Sequence, residues 1–321
     1  MLNNHIPIIP EAILKTHKVN EASDTRFKAA ARLMQSLWRS DARLPIGTHR
    51  SPEGKHRKLG SRINAASARA GANFLNPDIA NLVRRETAYR EMGAIIDQER
   101  LWTNLLSSQP LAFNLFGPLK LNLDKANAFF CALLPDFVAR VEDIRFEHSP
   151  GRGDPSFTAD HSAFDVFAPI VTTTGESGFV AIEVKYSETM MEPVAQLRPR
   201  YDELSVSSNA FADPMAQALR EAPIQQLWRE HLLSRAMVEN GLYDHGRFVV
   251  IHPAENHNCV SAVRAYQKHL VSDDQQVSGF QGVTLEQCLE TLDAIGDPQT
   301  AKALYGRYLD FSRIDRLLFG E

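Results

Sequence analysis

Cysteine is scarce in this chain and placed without pattern. The three present, Cys131, Cys259 and Cys288, have no pair spacing that suits a zinc site or a disulfide framework. Long apolar runs are missing as well, and none approaches the roughly 20 residues a helix needs to span a bilayer. The opening Met1-Leu-Asn-Asn-His-Ile-Pro7 has neither the basic start nor the apolar stretch of a secretory leader. A cytoplasmic protein with reduced thiols is the expectation. No phosphate-binding glycine loop or dinucleotide fingerprint occurs, so ATP-driven translocation is not expected to originate here. Ser107-Ser-Gln-Pro110 lacks the strained Gly-x-Ser-x-Gly turn of a hydrolase serine, and a helix break is the simpler account.

Of the 321 residues, 44% are hydrophobic and 23% charged, enough for a sizeable core. The net charge of −4 speaks against a general nucleic-acid binder, but the charge is unevenly spread. Residues 1–70 hold thirteen Lys/Arg against five Asp/Glu, and the remaining 251 hold 22 against 34. That asymmetry points to an anionic partner near the N-terminal part. The densest cluster, Arg50, Lys55, His56, Arg57, Lys58 and Arg62, reads as a nucleic-acid-binding segment, with a solvated basic loop as the plainer alternative.

Residues 1–21 read as a poorly ordered tail, followed by an amphipathic helix from Ser23 or Asp24 to Trp38. Residues 40–77 are punctuated by Pro, Gly and Ser and read as a long basic loop, with a short helix near Ile63–Ala70. Helices are expected from Asn76 to about Ile96, continued by Arg100–Leu106, and over 122–135. Strands follow at Val138–Glu147, about 163–171, about 178–186 and Gly246–Pro253. Further helices are expected over about 209–221, Pro223–Val238, 257–270, 284–295 and 300–318. The expected division is an N-terminal tail, helix and basic loop over 1–77, then a main domain over 78–321 with its core at about 138–255. The fold class is α/β, a mixed sheet flanked by helices, with an α-rich N-terminal arm and a helical C-terminal extension.

Ser162-Ala-Phe-Asp165-Val-Phe167 and Gly178-Phe-Val-Ala-Ile-Glu183-Val-Lys185-Tyr186 place three charged residues inside apolar, strand-like runs. Charges are rare there unless paired or bound. Alternation turns Glu183 and Lys185 to one face and Val180, Ile182, Val184 and Tyr186 to the other. A hairpin folded about Thr174 sets Asp165 opposite Glu183. Facing carboxylates repel, and a divalent cation such as Mg²⁺ relieves the repulsion through hard oxygen ligands. The Val184 carbonyl is a further such ligand, and Lys185 could hold or polarise a water or contact a scissile phosphate. This is the layout of a metal-dependent phosphodiester-cleaving site. The competing reading is a strand-surface Glu183–Lys185 ion pair, worth about 0–1 kcal/mol, with Asp165 at a sheet edge.

Together these residues resemble the PD-(D/E)XK nuclease superfamily, the restriction-endonuclease-like fold with an α-β-β-β-α-β core. Asp165 fits its first motif, with Phe164 in place of the proline, and Glu183-Val-Lys185 fits the second. Gln226-Leu-Trp-Arg229 on the following helix is similar to branches in which a glutamine faces the active site. Phe146-Glu147 matches branches with an extra acid in the metal shell. Leu59-Gly-Ser-Arg62, Asn104–Phe116 and Arg307-Tyr-Leu-Asp310 look like blocks of an uncharacterised bacterial subgroup. The resemblance implies catalytic Asp165, Glu183, Lys185 and Gln226, and metal ligands Asp165, Glu183, Val184 and Glu147. It also implies Mg²⁺ or Mn²⁺ as cofactor and nucleic acid, foremost DNA, as substrate, in bacterial defence or DNA processing. An RNA nuclease and a catalytically silent binding or scaffold protein are the alternatives. Cutting both strands of a duplex with one site per chain suits a homodimer, though no interface is legible.

Overall fold

A computed structural model describes residues 6–50, 54–94 and 96–320; residues 51–53 of the basic segment and the side chain of Arg50 lie outside the described residues. The segment expected as a long basic loop is chiefly a hairpin. β1 (Ile46–Arg50) pairs antiparallel with β2 (His56–Ile63), and the short helix Ala65–Arg69 follows. The strand escapes a periodicity reading because β2 does not alternate: His56–Lys58 are exposed, while Leu59–Ile63 are buried. The tail reading is also corrected, since Glu11–Thr16 is helical and Val19 is fully buried.

Six strands form the main sheet: β3 (Val138–Val141), β4 (Arg145–His148), β5 (Phe164–Thr172), β6 (Ser177–Val184), β7 (His245–His252) and β8 (Phe280–Thr284). Their order is β3-β5-β6-β7-β8, with β4 also on β5. β5 and β6 are an antiparallel hairpin, whereas β6–β7 and β7–β8 are parallel, so the sheet is mixed. The single strand expected over Val138–Glu147 is two. β3 pairs with Ile170–Thr172 and β4 with Phe164–Phe167, at opposite ends of β5. The interruption falls at Asp143, whose side chain accepts the Ile144 N–H at 2.8 Å and turns the chain. β8, short and glycine-containing, is an addition to the expected strands.

Helices cover both sheet faces. Val180, Ile182 and Val184 enter a core with the helices Arg26–Asp41, Ser108–Lys120 and Leu285–Ala294. Phe179, Ala181, Phe248 and Val250 enter the other, with Gln225–Glu239 and His257–Gln267. Some helix expectations shift. The stretch 209–221 contains only the 3₁₀ turn Gln217–Arg220, and the helix lies earlier, at Pro199–Ser207. Asp213 precedes Pro214, which disfavours helical backbone at that point. The helix from Asn76 ends at Ala88, and the C-terminal one divides into Pro298–Tyr308 and Ser312–Phe319. Among the described residues, no helix is long and apolar enough to cross a membrane.

The N-terminal helix shares its core with the sheet. Buried Gln35 donates to the Arg307 carbonyl at 2.7 Å and to the Tyr186 hydroxyl at 3.2 Å, one residue past Lys185. Gly60 on β2 anchors the arm from the other side. Its N–H donates to the Lys18 carbonyl at 2.9 Å, and its carbonyl accepts from Arg39 Nε at 2.9 Å. A Cβ at Gly60 would collide with the His17 carbonyl oxygen. Backbone cannot yield as a flexible side chain does, so Gly60→Ala should cost about 1–3 kcal/mol. Thermal melting should show Tm lower by about 1.5–4.5 °C. An unchanged Tm would mean that the arm is not fixed at this point.

Candidate active site

Register builds the site. Val166 pairs with Ile182, so the next step along the antiparallel ladder sets Asp165 opposite Glu183, as the hairpin about Thr174 requires. On the other side of β5, Phe146 pairs with Val166 and His148 with Phe164, which brackets Glu147 opposite Asp165. Glu147, Asp165 and Glu183 therefore form one row across three neighbouring strands. Glu147 has a left-handed backbone, φ 51°, unusual away from glycine. Its carbonyl is held by Arg152 Nη2 at 2.5 Å and its carboxylate by Gln109 Nε2 at 3.0 Å.

Each acid meets donors of the protein. Asp165 Oδ2 accepts the Val184 N–H at 2.8 Å. Glu183 Oε1 accepts from Lys185 Nζ at 2.5 Å and from Gln226 Nε2 at 2.9 Å. Gln226 returns its Oε1 to Lys185 Nζ at 2.9 Å, closing a triangle. The Lys185 backbone is fixed by its N–H to the Ile251 carbonyl on β7, 2.7 Å. The Glu183–Lys185 pair is thus real but buried, with Glu183 7% and Lys185 5% exposed, and is no surface pair. Burying two charges is retained at a desolvation cost that surface pairs escape.

Protonation follows the crowding. Burial, then the charges of Glu183 and Glu147, hold the Asp165 carboxyl well above the usual range. Burial, reinforced by Glu183, pushes Glu147 up to about 7 despite the Gln109 hydrogen bond. Burial works to lower the Lys185 ammonium, but Glu183, Glu230 and Glu188 outweigh it and keep it charged. Lys185 is therefore a fixed cation rather than a free base.

Glu147, Asp165, Glu183 and Gln226 line a cavity of about 410 Å³ whose wall also includes Asp160, Tyr201, Arg229 and Glu230. Asp160, 6% exposed, accepts from Thr158 Oγ1, Ser162 N–H, Ser162 Oγ, Tyr201 Oη and Arg229 Nη1 within 2.6–2.9 Å. Burial opposes its ionisation, but these bonds overcome it and lower its pKa. Arg229 is also tied to Ser162 Oγ at 3.0 Å, so its guanidinium is set firmly on the cavity wall. Glu230 accepts from Gln226 Nε2 at 2.8 Å, and its other oxygen has no hydrogen-bond partner. Sequence reading missed Asp160 and Glu230. Glu230 has a signal, four residues after Gln226 and so on the same helical face; Asp160 lies in a loop with none.

No three His, Cys, Asp or Glu side chains among the described residues converge as a ready-made metal cage. One oxygen of each acid is engaged by internal donors instead, Asp165 Oδ2 by Val184 and Glu183 Oε1 by Lys185 and Gln226. The donor set nonetheless fits a hard divalent cation, since buried, mutually repelling carboxylates are what such an ion discharges. The basic residues lie elsewhere. Lys55, Arg57 and Lys58 are exposed on the hairpin, where Arg57 pairs with Glu21. Arg62 is buried and bound to Glu99 at 2.5 Å and Thr103 at 3.1 Å.

A family model described as the PD-(D/E)XK nuclease superfamily matches residues 22–310. The chain belongs to the PD-(D/E)XK nuclease superfamily. The match spans the N-terminal helix and hairpin as well as the sheet. No curated protein and no solved structure matches the chain. The PD-(D/E)XK fold is thereby established, with a mixed six-stranded sheet between helical layers, and nucleic acid is the substrate class the superfamily implies.

Stability of this nuclease should report the crowding. Burial, then the Glu183 charge, pushes Glu230 up to about 8, so the folded chain keeps a proton that the unfolded chain releases near 4.5. The resulting stabilisation is complete below the unfolded value and is lost as pH rises through the folded one. Glutamine does not titrate. In chelator-containing buffer, the Tm of Glu230→Gln should gain several degrees on the parent between pH 5 and pH 8. A gap that stays constant over that range would show that Glu230 ionises normally.

Proposed function

We propose that this protein is a Mg²⁺- or Mn²⁺-dependent nuclease that hydrolyses phosphodiester bonds in DNA. The observation that carries the reading is the acid row, with Lys185 two residues beyond Glu183 and on the same face. Asp165, Glu183 and the Val184 carbonyl, joined by Glu147, would hold the cation. When bound, it supplies Lewis acidity and an acidified water.

The protein's own groups do the rest. Lys185, kept protonated, places a positive charge beside Glu183 that can steady an attacking water or the phosphate oxygens. Gln226 ties Lys185 to Glu183 and so limits where that charge can point. Arg229, anchored by Asp160, presents a second cation to the same cavity. The hairpin residues Arg50, Lys55, Arg57 and Lys58 would follow the phosphate backbone without reading sequence. A setting in bacterial defence or DNA processing fits such an activity, and cutting both strands of a duplex would call on two copies of the chain.

The test incubates the purified protein with Mg²⁺ and supercoiled plasmid, linear duplex, single-stranded DNA or structured RNA. Asp165→Ala and Glu183→Ala should each abolish cleavage. Asp165→Ala should leave Tm unchanged or slightly raised, because removing one acid relieves repulsion, whereas Glu183→Ala should lower Tm, because it strands the buried Lys185 ammonium. Lys185→Ala should lose turnover yet keep metal binding by calorimetry, since a protonated lysine is no ligand. Equal cleavage by the parent and either acid variant would sink the assignment. Cleavage of RNA alone would replace DNA as substrate.

A further inference from the structure

A second cavity, of about 390 Å³, opens where the chain leaves β6. Ser187 and Glu188 line it, and Ser187 is two residues past Lys185, so their Cα atoms are at most roughly 7 Å apart. Facing them are five permanent cations: Lys28 and Arg32 on the N-terminal helix, Arg57 and Arg62 on β2, and Arg100 on the Gln98–Thr103 helix. Three are locked in place by carboxylates. Arg32 bonds Asp24 at 2.6 and 2.9 Å, Arg57 bonds Glu21, and Arg62 bonds Glu99 at 2.5 Å. The carboxylates on the β6 side are engaged with their own segment. Glu188 accepts the Tyr186 N–H at 2.6 Å, and Glu192 accepts the Thr189 N–H at 3.0 Å.

What remains is donor capacity without acceptors. Lys28 and Arg100 form no ion pair among the described residues. Arg62, 7% exposed, has a buried Nε–H with no acceptor, and His49 on the same wall has a buried Nδ1 that makes no hydrogen bond and lies 3.9 Å from Glu99 Oε1. Buried donors are almost always satisfied in folded proteins, so the orphaned Arg62 Nε–H points to a missing acceptor. A guanidinium held at Nη1 with a donor left unpartnered is suited to a phosphate. The protein offers carboxylates to these groups only through the pairs already made.

We propose that this cavity seats a phosphate group of the nucleic-acid strand whose neighbouring diester lies at the acid row. Lys28, Arg62 and Arg100 are its contacts, and Arg32 and Arg57 form its charged frame. The assignment rests on the nuclease reading for its ligand, and it sets the register of the strand on the enzyme. A phosphate seated here would fix which diester reaches Lys185.

The test uses an Asp165→Asn background, in which binding is read without cleavage, and adds Lys28→Ala or Arg100→Ala. Both side chains reach solvent, and circular dichroism checks that each variant is folded. Duplex affinity followed by fluorescence anisotropy against salt should give a log–log slope flatter by about 0.9 for each phosphate no longer neutralised. Calorimetric titration of the parent with inorganic phosphate should saturate, and a variant carrying both Lys28→Ala and Arg100→Ala should not bind. Oligonucleotides ending in 5′-phosphate, 3′-phosphate or hydroxyl then assign the source. Preference for a phosphorylated end marks a terminal monoester, and equal binding marks an internal diester. Slopes unchanged in both variants, or phosphate binding that survives the double substitution, would overturn the pocket. Failure of the parent to cleave any nucleic acid would overturn the nuclease reading instead, and the phosphate titration would still judge the cavity.

Discussion

Three carboxylates in one row across β4, β5 and β6 are the constraint around which the rest of this structure is arranged. Like charges on adjacent strands repel, and a low-dielectric surrounding strengthens the repulsion. The fold does not separate them. It brings a separate donor to each: the Val184 N–H to Asp165, Gln109 from the Ser108–Lys120 helix to Glu147, and Lys185 with Gln226 to Glu183. Those donors come from a strand and two helices on opposite sides of the sheet. Positioning them requires both helical layers to be in place.

The helix carrying Gln226 shows how packing aims chemistry. Trp228 is fully buried, donates to Ser205 Oγ at 3.3 Å and meets the Tyr201 ring at 5.7 Å. Leu227, Leu232, Leu233 and Ala236 join it in the core. With that face committed, Gln226, Arg229 and Glu230 are left on the cavity side. Tyr201 serves both roles, packing on Trp228 while its hydroxyl bonds Asp160, which in turn holds Arg229. A hydrophobic contact and a charged one thereby fix the same guanidinium.

The centre of the fold is legible in the sequence because it obeys a simple period. Alternation along 178–186 and the symmetry of a hairpin about Thr174 are enough to pair Asp165 with Glu183. What stays hidden lacks local period. Glu147 is named only through the family resemblance, and its place in the row is not legible locally, because β4 breaks from β3 at Asp143 and resumes on the other end of β5, a long-range pairing. β2 is obscured by its split into a polar and an apolar half. Asp160 is defined by five hydrogen bonds from four residues between Thr158 and Arg229, and no window of sequence shows such convergence. Arg62 looks like one more exposed cation in a basic cluster, whereas its burial depends on Glu99 and Thr103, far along the chain.

The uneven charge of the chain gains a physical sense from this architecture. An acidic floor that can hold a cation also repels a polyanion, and the charge excess of residues 71–321 would strengthen that repulsion. The compensating positive charge belongs to residues 1–70, and it is not left on a free tail. Gln35 ties the N-terminal helix to Tyr186, Gly60 and Arg39 tie the helix to β2, and buried Arg62 ties β2 to the Gln98–Thr103 helix. Each of these links has at least one buried partner, so salt screens them weakly. The cations are consequently held at a fixed offset from the acids, joined through the end of β6. In the proposed reading, attraction for the backbone and tolerance of a cation-holding acid cluster, which oppose each other in a single site, fall to two cavities linked through the end of β6.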